Sequence, residues 1–136
     1  VAHYLDTSAL VKLVVAEAET PALRAWLGAA DRGPVAGDLV RTELVRAVRR
    51  VAPDRVLQAR AVLDALTVVA MPAMTFDEAG RIDPTLLRSL DALHLAVALT
   101  LGDELEAMVT YDERLAGAAR ENGIPVLAPG GGGSDA

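Results

Sequence analysis

His3-Tyr4-Leu5-Asp6-Thr7-Ser8-Ala9-Leu10-Val11-Lys12-Leu13 carries a short strand-like run that stops at an acid and passes into an apolar-periodic segment. Ser8 is well placed as the N-cap of a helix running through Val15, so the stretch reads as strand, turn, helix. The same alternation continues outward. Pro21 suits the first position of a helix over 20–30, which Arg32-Gly33-Pro34 breaks. Val40, Leu44, Val48 and Val51 recur at helical spacing within 38–52, and Pro53 separates that helix from an amphipathic one over 54–66. A β-branched run over 67–71 reads as a strand, and 76–82 as a weak helix interrupted by Gly80. Residues 90–101 are apolar nearly all round and are expected to form a central buried helix. A strand over 107–111, a helix over 112–122 ending at Gly123, and a short strand at Val126-Leu127 close the pattern. Strands separated by helices imply right-handed crossovers, hence a mostly parallel sheet covered on both faces in a three-layer α/β domain.

At 136 residues the chain is one domain of ordinary size, and 52% apolar with 24% charged residues is a globular composition. The domain is expected over 1–129, with 130–136 as a flexible Gly-rich tail. No cysteine is present, which removes disulfides and thiolate metal sites. No apolar run approaches the ~20 residues of a membrane span. Asp6 stands where a signal peptide would carry its apolar core, so no membrane association and a cytoplasmic location are expected.

Thirteen basic residues stand against 19 acidic ones, a net charge of −6, which argues against holding nucleic acid by bulk electrostatics. Six arginines (Arg41, Arg46, Arg49, Arg50, Arg55 and Arg60) nevertheless cluster in one stretch and leave room for a local basic surface.

Four acids stand out, each with a bland alternative. Asp6 and Asp112 follow strands, where parallel α/β sheets bind ligands, but Asp6 could simply order its turn and Asp112 cap the helix that follows. Asp91 opens the most apolar helix, where an ionised carboxylate needs a cation or several donors, or rests on the helix dipole. Glu43 lies about 100° from the centre of its helix's apolar stripe, with Arg46 and Arg50 beside it as surface partners. His94, at i+3 from Asp91, invites a general-base role, yet inside an apolar helix it reads better as a hydrogen-bonded core residue. Tyr4, Trp26, Phe76 and Tyr111 are too few for a base-stacking platform and read as core, Tyr111 at a pocket rim.

In order along the chain come Leu5-Asp6-Thr7-Ser8-Ala9-Leu10, Glu43-Leu44-Val45-Arg46-Ala47, Arg88-Ser89-Leu90-Asp91-Ala92-Leu93-His94-Leu95-Ala96 and Thr110-Tyr111-Asp112-Glu113-Arg114-Leu115. Together with Gly123-Ile124-Pro125-Val126 this series resembles a PIN domain, specifically the VapC-type toxins of type II toxin-antitoxin pairs, over residues 3–129. The resemblance implies a five-stranded parallel sheet and an acidic pocket of Asp6, Glu43, Asp91 and Asp112. Ser8, Thr7 and Thr110 would supply hydroxyls to pocket hydrogen bonds or to a metal-bound water. It implies an endoribonuclease that leaves 5′-phosphate and 3′-hydroxyl ends, a VapB-like antitoxin whose C-terminal segment covers the pocket, and a homodimer. Hard oxygen ligands suit Mg²⁺ or Mn²⁺, while the lack of Cys and scarcity of His argue against zinc. Such a cation also answers how an acidic protein acts on RNA. Arg46, Arg50, Arg88 and Arg114 could hold flanking phosphates or pair with neighbouring carboxylates. A phosphoacceptor receiver domain is the rival of another class, but it needs a lysine at a late strand end, and Lys12, the only lysine, lies in the first helix. The other alternative is a PIN-like module that binds RNA or a partner without cutting.

Overall fold

The computed structural model describes residues 1–131. Five strands, β1 (Ala2–Leu5), β2 (Pro34–Gly37), β3 (Thr67–Val69), β4 (Leu105–Val109) and β5 (Val126–Leu127), form one all-parallel sheet in the order β3-β2-β1-β4-β5. Seven α-helices are described: α1 (Thr7–Lys12), α2 (Thr20–Ala29), α3 (Val40–Val51), α4 (Val56–Asp64), α5 (Ala73–Ala79), α6 (Ser89–Thr100) and α7 (Glu113–Glu121).

β1 is buried along its whole length, and its alternating side chains feed two cores. Leu5 packs with Leu10, Leu23, Val40, Leu44 and Val109. Tyr4 packs with Leu95, Val97, Met108, Leu115 and Ile124. The three-layer arrangement expected from the alternation is what forms. Because the chain leaves β1 for β2 on one side and later returns to β4 on the other, the order reverses at β1/β4. That is the point at which open α/β sheets hold ligands.

The structure departs from the residue-level expectations in several places. β2 was not foreseen: Arg32-Gly33-Pro34 reads as a breaker, but Gly33 turns the chain at φ +56 and Pro34 takes the first strand position, where a missing N–H costs no ladder bond. The N-cap of α1 is Asp6, not Ser8, because Asp6 is extended and accepts from Ala9 N–H; the helix then ends at Lys12 rather than Val15. α5 starts directly after Pro72 and stops at Gly80, three residues earlier than expected, and this leaves Phe76 49% exposed instead of in the core. α6 is not buried all round, since Leu90 and Leu99 are 51% and 40% exposed. Trp26 is half-buried, edge-on to His3 and under the Arg32 guanidinium. Of the expected tail, Gly131 N–H donates to Ala128 O at 2.7 Å, while 132–136 lies outside the described residues. Among the described residues no helix is long and apolar enough to cross a membrane.

Candidate active site

The carboxyl ends of β1 and β4 lie side by side, Leu5 in register with Val109, so Asp6 and the Thr110-Tyr111-Asp112 segment leave the sheet together. Asp6 is 4% exposed and accepts three hydrogen bonds: Ser8 Oγ (2.7 Å) and Ala9 N–H (3.1 Å) on Oδ1, and Thr110 Oγ1 (2.8 Å) on Oδ2. Of roughly four acceptor positions on a carboxylate, three are filled. The two hydroxyls are held in turn, since Tyr111 N–H donates to Ser8 Oγ at 2.9 Å and Asp112 N–H to Thr110 Oγ1 at 3.1 Å. Asp112 caps α7 through Oδ1, which accepts from the N–H groups of Arg114 (2.9 Å) and Leu115 (3.1 Å). The capping reading of Asp112 therefore holds, Asp6 takes the cap expected of Ser8, and capping does not compete with a functional role. Capping is what fixes each carboxylate at the sheet's edge, and in Asp112 it leaves Oδ2 without a hydrogen bond among the described residues.

Glu43 enters from α3. Its expected arginine partners do not engage it; instead Oε1 accepts from Thr7 Oγ1 (2.9 Å) and lies 2.6 Å from His94 Nε2 on α6. His94 is itself buried, and its Nδ1 lies 2.6 Å from the hydroxyl of Tyr4 on β1. The preference for His94 as a satisfied core histidine is thus met, but its partner is a site acid, 51 positions away in sequence. Sequence reasoning took Tyr4 for plain core and missed this connection. Only the i+3 spacing of His94 from Asp91 hinted at it.

Asp91 is half-buried at the start of α6 and accepts no side-chain hydrogen bond or ion pair among the described residues. Burial first and the Asp112 charge second push its carboxyl above the ordinary range; Glu43 adds to this, and His94 and Arg88 oppose it. Burial likewise pushes Asp6 up, with the donors Ser8, Thr110 and Ala9 and the His94 ring opposing. Glu43 moves the other way: burial would raise it, but the His94 imidazole and the Thr7 hydroxyl outweigh that and hold it below the usual range. Burial also raises the Tyr4 phenol, so it stays protonated.

Asp6 and Asp112 therefore follow the carboxyl ends of the adjacent strands β1 and β4, Glu43 joins through Thr7 and His94, and Asp91 feels the charges of Asp112 and Glu43. Arg46, Arg50, Arg88 and Arg114 are exposed and make no ion pair among the described residues, so the carboxylate pairing that was their alternative is not formed. Arg88 and Arg114 stand with Asp91 around a cleft of about 460 Å³. The donor set is all oxygen and carries repelling charges, with no cation paired to Asp6, Asp91 or Asp112 among the described residues, and this chemistry fits a hard divalent cation. Among the described residues no three His, Asp or Glu side chains converge closely enough to hold a metal ion as they stand.

The profile of the PIN domain family matches residues 3–121. The chain is 43% identical over 131 residues to Ribonuclease VapC47 of Mycobacterium tuberculosis, spanning 93% of this chain and 96% of that protein. It is 41% identical over 129 residues to Ribonuclease VapC46 of the same species, spanning 94% and 98%. Among solved structures, M. tuberculosis VapC20, described as a Sarcin-Ricin loop cleaving toxin, superposes with a TM-score of 0.72 at 19% identity over 86% of this chain and 95% of that one. A toxin-antitoxin complex from Klebsiella pneumoniae gives a TM-score of 0.71 at 17% identity over 94% and 98%. At those identities the two structures bear on the fold, which they share.

Proposed function

This chain belongs to the PIN-domain family as a ribonuclease of the VapC type, and from that premise we propose that it hydrolyses RNA at the cluster of Asp6, Glu43, Asp91 and Asp112 as the toxin of a toxin-antitoxin pair. The observation that carries the site assignment is Asp91: a half-buried carboxylate set against Asp112 and Glu43, with no donor or paired cation among the described residues. The N-terminal dipole of α6 is what remains to a purely structural acid there.

A divalent cation of the Mg²⁺ or Mn²⁺ class, when bound, supplies the positive charge that draws a phosphodiester and a water into the cluster and stabilises the in-line transition state. Asp91 and the free Oδ2 of Asp112 are the groups with most acceptor capacity left for it, joined by the unused positions on Asp6 and Glu43. Ser8 and Thr110 orient Asp6, and Thr7 orients Glu43, so these hydroxyls serve the pocket by fixing its acids. Arg88 and Arg114 at the cleft, and Arg46 and Arg50 one and two turns beyond Glu43 on α3, hold RNA phosphates on either side of the scissile one. Such contacts carry no sequence information, so target choice lies in surface shape. Cleavage leaves 5′-phosphate and 3′-hydroxyl ends.

The partner is a VapB-like antitoxin whose basic C-terminal segment lies over the acids, the toxin is a homodimer, and both act in the cytoplasm, where the RNA is. The test is cleavage of an RNA oligonucleotide with Mg²⁺, with Mn²⁺ and with excess EDTA, followed by analysis of the ends. Activity that requires the metal and yields 5′-phosphates is expected. Cleavage that persists in EDTA, or 2′,3′-cyclic phosphate ends, overturns the mechanism.

A further inference from the structure

A buried chain of hydrogen bonds runs from a backbone amide to Glu43. Gly37 N–H, at the end of β2, donates to the Tyr4 hydroxyl oxygen at 3.1 Å; that hydroxyl is 2.6 Å from His94 Nδ1, and His94 Nε2 is 2.6 Å from Glu43 Oε1. Gly37 allows the approach, since a Cβ there would stand 3.2 Å from the Tyr4 oxygen and 3.1 Å from a Val97 methyl. The phenol oxygen accepts from Gly37, and among the described residues His94 Nδ1 is the one acceptor within reach of its proton, so that proton is directed at Nδ1. Nδ1 is then an acceptor, and the imidazole's single proton sits on Nε2, aimed at Glu43. Thr7 Oγ1 donates to the same Oε1 at 2.9 Å, which concentrates both donors on one oxygen of Glu43 and leaves Oε2 with none among the described residues.

From this geometry we infer that His94 is a positioning residue for RNA cleavage. As a neutral Nε2–H donor whose tautomer Tyr4 sets, it locks the Glu43 carboxylate by Oε1 and leaves Oε2 as the single working oxygen. The inference rests on Glu43 being a site acid. A histidine that only satisfies the core would affect folding and nothing else. A positioning histidine governs the rate at a fixed substrate affinity, because a displacement of about 1 Å of a reacting group costs on the order of 100-fold.

The experiment compares His94→Leu, His94→Gln and Glu43→Gln with the original in single-turnover RNA cleavage. It adds long-range ¹⁵N NMR of the His94 ring in the metal-free protein, which reads the tautomer without any activity. His94→Leu is expected to lower kcat by about 100-fold with KM unchanged, and His94→Gln, whose amide can still donate to Glu43, to recover most of that loss. NMR is expected to show Nε2 protonated and Nδ1 bare. A folded His94→Leu that cleaves like the original, a His94→Gln no better than the leucine variant, or a proton on Nδ1 overturns the inference. Should His94→Leu fail to fold, the glutamine variant and the tautomer decide. Full activity in Glu43→Gln overturns instead the assignment of Glu43 to the site; an inactive Glu43→Gln beside an original-like His94→Leu overturns the positioning role alone.

Discussion

Asp6 and Asp91 bring the same side chain to the same cluster under opposite conditions. Asp6 is buried and met by three donors built from its own turn and from the neighbouring strand end. Asp91 is half-buried and met by none among the described residues, with the Asp112 charge the largest influence on it after burial itself. Both carboxyls are pushed above their ordinary range, but for Asp6 the fold supplies much of the compensation, and for Asp91 it supplies little beyond the field of Arg88 and His94. One acid is thus part of the scaffold as well as of the site. The other has no hydrogen-bond donor or paired cation among the described residues.

The largest expected effect separates them by stability rather than by activity. Asp91→Asn and Asp6→Asn should each lower cleavage by at least about 100-fold, as loss of one preorganised charge in a reaction centre does. Their metal-free melting temperatures should diverge. Asp91→Asn removes a repelled charge and breaks no hydrogen bond, so it should melt at or above the original. In Asp6→Asn an NH₂ group faces one of three donors, and a lost buried bond costs about 1–3 kcal/mol, which works against the relief of the buried charge. Asp6→Asn should therefore be the less stable of the two variants in thermal melts with EDTA. The reverse order would erase the distinction between the two acids.

Next in size is the response to metal. Mg²⁺ or Mn²⁺ at a hundredfold excess over its dissociation constant should stabilise the original by about 2.7 kcal/mol, and Asp91→Asn much less. Equal shifts in both proteins, or none in either, would mean that Asp91 is not where the outside charge goes.

The contrast also explains what could be read in the chain beforehand. Asp6 and Asp112 were visible because a parallel sheet puts its ligand edge at strand ends, and strand ends show in hydropathy patterning. That Asp112 caps a helix was visible too, whereas the cap of α1 was read at Ser8 and falls on Asp6; pattern cannot tell a cap from a ligand when one carboxylate can do both with different oxygens. β2 escaped because Val35-Ala36 carries little β-branched signal and its identity as a strand comes from lying between β1 and β3. The link of Tyr4 to His94 and on to Glu43 escaped for a related reason, since its members come from β1, α6 and α3, and nothing local in any of the three announces the others.

A smaller effect appears in the pH dependence of metal-free stability. A carboxyl whose folded pKa is raised binds its proton more tightly when folded, so its contribution is full below the unfolded value, 3.8 for both aspartates, and is lost as pH climbs through the folded value. Glu43 has the opposite sign: its contribution is full above 4.5 and lost as pH falls through its lowered value. Above pH 4.5 the slope therefore belongs to Asp6 and Asp91, and stability should decline with rising pH. Each titrating proton can contribute at most about 1.4 kcal/mol per pH unit, and Asp91 less because it stays partly solvated. Denaturant titrations in EDTA across this window should give a shallower decline for Asp91→Asn than for the original. Parallel curves would show that Asp91 does not share in the repulsion.

The smallest effect tests whether capping and charge are separable in Asp112, which stands between the two extremes with one oxygen committed and one free. Asp112→Ala removes the acceptor for Arg114 N–H and Leu115 N–H; Asp112→Ser keeps an N-cap oxygen of a favoured type. Both variants delete the same negative charge and so give Asp91 the same relief, which cancels when they are compared with each other. What remains is the cap, worth about 1 kcal/mol, so the alanine variant should unfold at the lower denaturant midpoint while both lose cleavage alike. Equal midpoints would mean that α7 does not depend on the Asp112 side chain. Retained cleavage in the serine variant would mean that the charge of Asp112 is dispensable.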